Sequence, residues 1–173
     1  DEREFFLMQD LIAAFDMDRI NKANAAFSLD KLRWLNGEHI RSLSPETFHE
    51  ISLPFYPQGL AEFDLAKISQ LIQVRTETLT DIPKLVGFLA ELPEYSADLF
   101  ENQKSKSTRE TSRRVLEAVA PMLESQEDWS NEALFELLKT FAQAQGLKVG
   151  TVMWPIRTAL SGQETSPGGA TEL

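Results

Sequence analysis

The stretch SNEALFELLKTFAQAQG, residues 130–146, has the pattern of a single amphipathic helix with both of its ends marked. Its large apolar residues recur at intervals of three and four, which places them on one face of a helix. Ser130 is a preferred residue for capping a helix N-terminus, and Gly146 is typical of a helix C-terminus. The stretch therefore predicts a helix whose buried face consists of Leu134, Leu137, Leu138 and Phe141.

The same periodicity is found in three other parts of the chain, whereas strand-like alternation is nearly absent. Apolar residues at helical spacing occupy residues 8–15, 65–72 and 115–122. Residues 147–152 alternate as a strand would, but they have no partner strand, so we interpret them as a turn that enters another helix. The predicted fold class is therefore all-α and multihelical.

Capping chemistry marks further helix starts in the sequence. Ser44 supplies a hydroxyl acceptor, and Pro45 after it occupies the first helical position, where its missing N–H costs nothing. Ser107 is followed three residues later by Glu110, which predicts a capping box. These positions predict helices that begin near residues 45 and 108.

Two further features bear on how these helices pack and whether they are continuous. Trp129 precedes the cap of the quoted helix, so we expect it to pack on Leu134 as a hydrophobic staple. Pro121 and Pro155 lie inside helical patterns, where we expect breaks or kinks because proline removes a backbone donor.

The composition excludes several classes of functional site. The chain has 173 residues, of which 42% are apolar, enough for a packed core. It contains no cysteine, which rules out disulfides, thiolate metal sites and cysteine nucleophiles. His39 and His49 lack clustered partners, and no phosphate-binding loop or catalytic motif is present. We therefore predict no catalytic residue and no metal site.

Because the first residue is Asp1 rather than Met, we interpret the chain as a piece of a longer protein.

Cations are concentrated in one short segment of this acidic chain. Five basic residues stand against the single acid Glu110 within residues 104–114. One interpretation is that they neutralise the phosphates of a nucleic acid and release condensed counterions. The other is that they belong to a linker and to first helical turns and only balance the acidic total. Both interpretations stay open for Lys104, Lys106, Arg109, Arg113 and Arg114.

Two separated blocks of the sequence have an uncommon combination of residues. FSLDKLRWLNGEHIR occupies residues 27–41, and WPIRTALSG occupies residues 154–162 with Ser166-Pro167-Gly168 shortly after it. The first block resembles F-D-x-x-K-L-x-W-x-N-x-x-Y-I-R of bacterial glutamyl-tRNA synthetases, a class I aminoacyl-tRNA synthetase family, although Ser28 and His39 replace the common Asp and Tyr. The second resembles a block near the C-terminus of that family. The resemblance extends over essentially the whole chain.

The resemblance implies a domain organisation and a function. Residues 1–43 resemble the end of the stem-contact region, residues 44–88 the first helical anticodon-binding subdomain, and residues 89–173 the second one, truncated at its C-terminus. The catalytic Rossmann half of the family, which uses ATP and magnesium, is absent from the chain. We therefore expect the anticodon-binding piece of a glutamate–tRNA ligase, inactive when alone.

The resemblance also implies a partner and a setting. The expected partner is tRNA(Glu), bound by a monomer in the cytoplasm, with no cofactor in these residues. No apolar stretch approaches the roughly 18 residues of a membrane span, so we expect no membrane contact. The alternative function is a non-catalytic helical domain that has kept the fold but binds protein, because a net charge of −10 disfavours polyanions.

Two arginines are the candidate anticodon-reading residues. Unstacked bases are read by hydrogen bonds along their edges and by stacking on flat side chains, and a guanidinium provides both. Arg75 aligns with the family position at which an arginine reads the third anticodon base in enzymes restricted to tRNA(Glu). It therefore favours that restriction over charging of tRNA(Gln) as well. Arg157 lies next to the loop that wraps the first two bases in the family, which here contains Ser166, Pro167 and Gly168.

Further polar residues are candidate contacts with the tRNA backbone. Those in the first block can face the stem, whereas Trp34 and Leu35 beside them are predicted to pack inside. Trp154 in the second block is likewise predicted to belong to the core, since tryptophan beside proline in a helix is commonly buried. The candidate backbone contacts are Lys31, Arg33, Asn36, Lys104, Lys106, Arg109 and Lys148.

Overall fold

The computed structural model of the chain describes residues 4–19 and 27–173. In these residues the regular elements are helical, apart from one isolated antiparallel bridge between Asn102 and Ser107, which confirms the all-α prediction. The α-helices are α1 Met8–Ala14, α2 Leu29–Ser42, α3 Pro45–Ser52, α4 Leu65–Gln73, α5 Ile82–Ala90, α6 Arg109–Glu124, α7 Asn131–Ala144 and α8 Val149–Ser161. Short 3-10 turns lie at Met17–Arg19, Leu53–Phe55, Leu79–Asp81 and Ala97–Phe100.

Most of the helix ends follow the capping chemistry of the sequence. The Ser44 hydroxyl accepts the amide of Thr47 at 3.2 Å, and the Ser130 hydroxyl accepts that of Ala133 at 3.3 Å. Gly146 has a φ of +63° and ends α7, and α8 begins at Val149 after a short turn. The predicted ends of α7 and the turn after it are therefore confirmed.

The predicted capping box of Ser107 with Glu110 is wrong. The N-cap of α6 is Thr108, whose hydroxyl accepts the amide of Thr111 at 3.2 Å while the Thr111 hydroxyl accepts the Thr108 amide at 2.8 Å. Ser107 is buried, and its backbone pairs in both directions with Asn102 at 3.0 Å. The bridge thus holds Ser107 outside the helix, and the next hydroxyl along the chain takes the cap.

The expected breaks at the two internal prolines do not occur. Pro121 lies inside α6 and Pro155 inside α8, and both helices continue past them. An internal proline leaves the carbonyl four residues earlier without its helical donor. For Pro155 that carbonyl belongs to Thr151, and it accepts the hydroxyl of Ser107 at 3.4 Å instead. Pro121 is exposed, so water can replace the missing donor there.

Two apolar clusters form the core of the described residues. The first joins α2, α3, α4 and α5 through Ile40, Phe48, Leu60, Ile68, Ile72, Ile82 and Val86. The second joins α6, α7 and α8 through Val115, Val119, Leu138, Ala142, Val152 and Ile156. The predicted boundaries near residues 43 and 88 stay predictions, and Ile40 shows that the end of α2 packs in the first cluster.

Two predicted apolar features lie at the surface. The stripe at residues 8–15 forms α1, yet no residue of this helix is buried. Trp129 is 61% exposed, and its indole N–H donates to the Gln126 carbonyl at 2.9 Å, so it is tied to the preceding turn. Within the described residues, no helix has the length and apolar character needed to span a bilayer.

Gly162 ends α8 at a close approach that a larger residue would obstruct. Its φ is +60°, and a Cβ there would lie 2.7 Å from Cδ1 of Tyr95. We expect Gly162→Ala to lower the free energy of unfolding by about 2–5 kcal/mol, through left-handed strain of about 1–2 and overpacking of about 1–3 kcal/mol. Urea denaturation measures the change. Gly146→Ala is the control, because it has the same strain and open space; an equal loss in both variants would contradict the steric argument.

Candidate nucleic-acid interface

Arg75 and Arg157, predicted from opposite halves of the sequence, meet at one residue of the C-terminal loop. Nη1 of Arg75 donates to the Ser166 carbonyl at 3.1 Å, and Nη1 of Arg157 donates to the Ser166 hydroxyl at 3.0 Å. Arg75 follows α4 of the first cluster, and Arg157 lies in α8 of the second. The structure therefore places both guanidinium groups on the same side of the molecule, around residues 162–173.

Arg157 is fixed in orientation by four contacts. Besides Ser166, it donates to the carbonyl of Glu164 at 2.9 Å and to that of Gln163 at 3.4 Å. Its guanidinium carbon lies 4.4 Å from the ring centre of Trp154, whose own indole N–H donates to the Leu99 carbonyl. Burial lowers the pKa of Arg157, and the Glu164 carboxylate partly opposes this. The result is a flat, half-buried cation stacked on an aromatic ring.

The predicted loop residues Ser166, Pro167 and Gly168 are all buried. The Ser166 hydroxyl accepts from Arg157 and donates to the Gly168 carbonyl at 2.7 Å, so its hydrogen-bonding capacity is used within the protein. A Cβ on Gly168 would lie 3.1 Å from Cδ1 of Leu71, which shows that this glycine admits a close approach to α4. The base-contacting role of the three residues stays a prediction; in the structure they hold the loop against the helices.

A cleft of about 590 Å³ opens beside Arg75. We refer to it as the α4 cleft, because Lys67, Gln70 and Arg75 line one side of it. Trp129 lines the other side and is 61% exposed. Trp129 is not among the functional residues predicted from the sequence. The sequence feature that could have indicated it is a single aromatic residue within the polar run ESQEDWSN, residues 124–131, which contains no other apolar residue.

A second cleft, of about 400 Å³, lies beside Arg157. We refer to it as the Trp154 cleft, since Met153, Trp154 and Ala170 give it a largely apolar surface. Trp154 is predicted to belong to the core, but it is only half-buried, and part of its surface faces the cleft. Lys104 lines the same cleft from the turn of residues 102–107. This turn is attached to α8, because the Thr151 hydroxyl donates to the Ser105 carbonyl.

Four of the candidate backbone contacts have partners inside the protein. Lys31 pairs with Glu4 at 3.2 Å, and Arg109 pairs with Asp98 and Glu101. Arg33 binds Glu77 and Asp81, and the Asn36 amide donates to the Glu77 carbonyl. Within residues 4–19 and 27–173 no ion pair involves the three remaining candidates. These exposed cations are Lys104, Lys106 and Lys148.

The segment of residues 104–114 is therefore not one continuous free basic patch. Arg113 pairs with Glu117 at 3.6 Å, and Arg114 lines a third cavity, of about 540 Å³, between α6 and α7. Of the five cations in this segment, only Lys104 lines either of the two clefts beside the arginines, as far as the described residues extend. The predicted phosphate contacts stay predictions. In the part of the chain that the structure describes, the candidate cations that no ion pair occupies are Lys104, Lys106, Arg114 and Lys148.

Comparison with known proteins gives consistent matches over the whole chain. Residues 46–173 match the family described as "Anticodon binding domain". The chain is 46% identical over 171 residues to the glutamate–tRNA ligase of Clostridium tetani, covering 98% of this chain and 35% of that protein. It is 44% identical over 173 residues to the glutamate–tRNA ligase of Clostridium botulinum, covering 99% of this chain and 36% of that protein.

A solved structure agrees with these matches. The crystal structure of a glutamate tRNA ligase from Elizabethkingia meningosepticum in complex with its amino acid superposes with a TM-score of 0.69 at 26% identity, over 96% of this chain and 33% of that one. The chain spans about a third of the length of the curated relatives it matches. The matches confirm the resemblance found in residues 27–41 and 154–162.

The hydroxyl of Ser166 is expected to stabilise the loop. Ser166→Ala removes an acceptor from the half-buried Arg157 and a donor from the Gly168 carbonyl, while the Arg75 bond to the backbone is kept. We expect the free energy of unfolding to fall by about 1–3 kcal/mol, the cost of leaving buried polar groups unpaired. Chemical denaturation measures it. Thr165→Ala, at the exposed neighbour, is the control; similar small effects in both variants would show that the hydroxyl is dispensable.

Proposed function

The chain belongs to the anticodon-binding domain family, and we propose that it recognises the anticodon of tRNA(Glu) as the C-terminal part of a glutamate–tRNA ligase. The observation that carries this proposal is the convergence of Arg75 and Arg157 on Ser166, with an open cleft beside each arginine. Arg75 follows a helix of the first apolar cluster, and Arg157 lies in a helix of the second. The packing of the two clusters therefore sets the distance between the arginines.

The chemistry of the two clefts suits unstacked bases. Single-stranded bases are recognised by hydrogen bonds to their edges and by stacking on aromatic or guanidinium planes. The Trp154 cleft offers the stacked pair of Trp154 and Arg157, and the α4 cleft offers Arg75 opposite the exposed Trp129. Base–aromatic stacking contributes about 1–3 kcal/mol per base. Each cleft thus combines a flat surface with directed N–H donors.

The charge of the chain limits how it can bind RNA. With a net charge of −10, bulk electrostatics do not attract a polyanion. Affinity then has to come from local cations such as Lys104 and Lys148 and from the bases themselves. The same charge is the feature that supports the alternative, a helical domain that binds protein. A titration with RNA separates the two functions.

The activity of the longer protein is part of the proposal. The relatives are glutamate–tRNA ligases about three times as long as this chain. We propose that the ligation of glutamate to tRNA, with ATP and magnesium, is performed by residues outside this chain, and that the chain alone is inactive. Incubating it with tRNA(Glu), glutamate and ATP should give no aminoacylated tRNA. A monomer acting in the cytoplasm is the expected form.

The first test of the proposal is removal of the Arg157 guanidinium. We expect Arg157→Ala to weaken binding of tRNA(Glu) by about 1–3 kcal/mol, the scale of one good base contact. Arg157→Lys should lose nearly as much, because lysine keeps the charge but not the planar fork. The measurement is a titration at moderate salt with tRNA(Glu) and with an anticodon-swapped transcript.

The control for this test is Lys139→Ala, which removes a partly exposed cation of α7 that pairs with Glu136. Denaturation of each variant separates lost contacts from lost folding. Equal binding of the wild-type chain to both transcripts, or equal binding of wild type and Arg157→Ala to tRNA(Glu), would refute the anticodon assignment.

A second test concerns the candidate phosphate contacts. We expect Lys104→Ala to make the slope of log K against log salt concentration shallower by about 0.7–0.9, the value for one phosphate contact. Arg109→Ala should change the slope less, because Arg109 is paired with two carboxylates that compete with phosphate. Binding isotherms at several salt concentrations measure both slopes. An unchanged slope for Lys104→Ala would favour the interpretation that these cations only balance the acidic total.

A further inference from the structure

The turn that carries Arg75 is held from one side by α2. Three polar side chains of this helix bond to residues 74–81. Nε of Arg33 lies 3.0 Å from the Glu77 carboxylate, and its Nη2 lies 2.9 Å from that of Asp81. The Asn36 amide donates to the Glu77 carbonyl, and Nη1 of Arg41 donates to the Val74 carbonyl at 3.3 Å.

These bonds bracket Arg75 within the chain. Arg41 fixes the carbonyl one residue before Arg75, and Asn36 fixes the carbonyl two residues after it. The amides of Arg75 and Thr76 still bond back to carbonyls at the end of α4, at 2.9 Å and 3.3 Å, but no regular helix follows until the short turn at Leu79–Asp81. In between, the side chains of α2 supply the bonds to the carbonyls of Val74 and Glu77 and so help to orient this part of the backbone.

Arg33 contributes the strongest of these contacts, because it bridges two acids. Its planar fork reaches Glu77 and both carboxylate oxygens of Asp81, an arrangement that lysine cannot reproduce. Burial acts to raise the pKa of Asp81, but hydrogen bonds from Thr78 and Arg33 outweigh it and lower that pKa. Asp81 is thus ionised at neutral pH. It also accepts the Thr78 amide at 2.9 Å, so the bridge extends into the backbone of the turn.

The same environment makes Arg33 a poor phosphate ligand. Two carboxylates lie within 3.0 Å of its guanidinium and neutralise it, and they would repel a phosphate brought to the same place. On its other side the turn is joined to the C-terminal loop, because Arg75 itself donates to the Ser166 carbonyl. A continuous set of contacts therefore runs from α2 through Arg75 to the loop.

We propose that Arg33 is a positioning residue for Arg75, acting through the turn of residues 74–81 and not by touching RNA. The inference rests on the proposed function, in which Arg75 reads a base. Arg33 sets the place and direction of the Arg75 guanidinium, so α2 influences which base is accepted at the anticodon although it lies outside both clefts. This role replaces the backbone contact that the sequence predicts for Arg33.

The test uses the full chain and two anticodon stem-loop RNAs, one with the tRNA(Glu) sequence and one with its third anticodon base replaced. Arg33→Lys keeps the charge and loses the fork, so we expect its preference between the two RNAs to fall about tenfold, the scale of one misplaced base contact. The salt slope should stay unchanged. Lys84→Ala, which removes an exposed cation of α5, is the control and should keep the full preference.

Arg33→Ala separates positioning from phosphate binding. If Arg33 positions Arg75, this variant loses the base preference and keeps its salt slope. If it keeps the preference and its slope becomes shallower by about one, Arg33 is a phosphate contact and the inference is overturned. Asn36→Ala, which frees the Glu77 carbonyl, should reduce the preference in the same direction as Arg33→Lys.

Hydrogen exchange supplies a readout that needs no RNA. In Arg33→Lys we expect faster exchange of the amides of residues 74–81 and unchanged exchange in α7, whereas general destabilisation would accelerate both. Unchanged exchange in residues 74–81 overturns the inference. A wild-type chain that does not distinguish the two RNAs overturns the proposed function and the inference together. A wild-type preference that Arg33→Lys fully retains overturns the inference alone.

Discussion

The candidate interface depends on one buried residue, Ser166, which two arginines, one just after α4 and one in α8, hold by different atoms. Arg75 bonds its carbonyl and Arg157 its hydroxyl. Residues 162–173 lack a helix in which buried polar groups would find partners, so those groups have to be satisfied by side chains. Charged donors are the strongest available for that purpose. Since Arg75 follows α4 of the first cluster and Arg157 lies in α8 of the second, the same residue also links helices of the two clusters.

This arrangement makes the stability of the loop and the shape of the clefts inseparable. Pro167 lines the α4 cleft, and Ala170, three residues later, lines the Trp154 cleft. A change that releases the loop would therefore alter both clefts at once. The arginines thus have two roles in the proposed function: each holds the loop through some of its N–H groups and presents its remaining plane and edge to an open cleft.

Much of this fold could be predicted from local sequence patterns. The predictions failed where contacts between residues distant in the sequence decide the structure. The stripe at residues 134–141 specified α7, because the spacing of apolar residues follows directly from helix geometry. The cap of α6 was missed by one residue, since Ser107 and Thr108 are equally good caps and only the bridge to Asn102 distinguishes them. The expected break at Pro155 does not occur for a similar reason, because the hydroxyl that bonds the Thr151 carbonyl belongs to Ser107, 44 residues away from Thr151 in the sequence.

The site shows the same division between local and distant information. The resemblance located Arg75 and Arg157 from short blocks of sequence, but their common contact with Ser166 spans 91 residues for Arg75 and has no local signature. The resemblance marked Arg33, and charge counting marked Arg109, as candidate contacts with RNA. Carboxylates distant from Arg33 in sequence and nearby ones around Arg109 neutralise these cations.

The pairing of cations with acids has a consequence for how such a domain can work. Binding to phosphates gains free energy mainly by releasing counterions, and a cation already paired with a carboxylate releases few. This chain has a net charge of −10, and its arginines at positions 33, 109 and 113 are paired with acids. It therefore gains little affinity that is independent of the RNA sequence. In the proposed function the remaining affinity comes from unpaired cations such as Lys104 and Lys148 and from recognition of bases at the two clefts. On that proposal the surface binds weakly to nucleic acid in general and discriminates strongly among bases, as we expect of a domain that selects one tRNA as part of a longer protein.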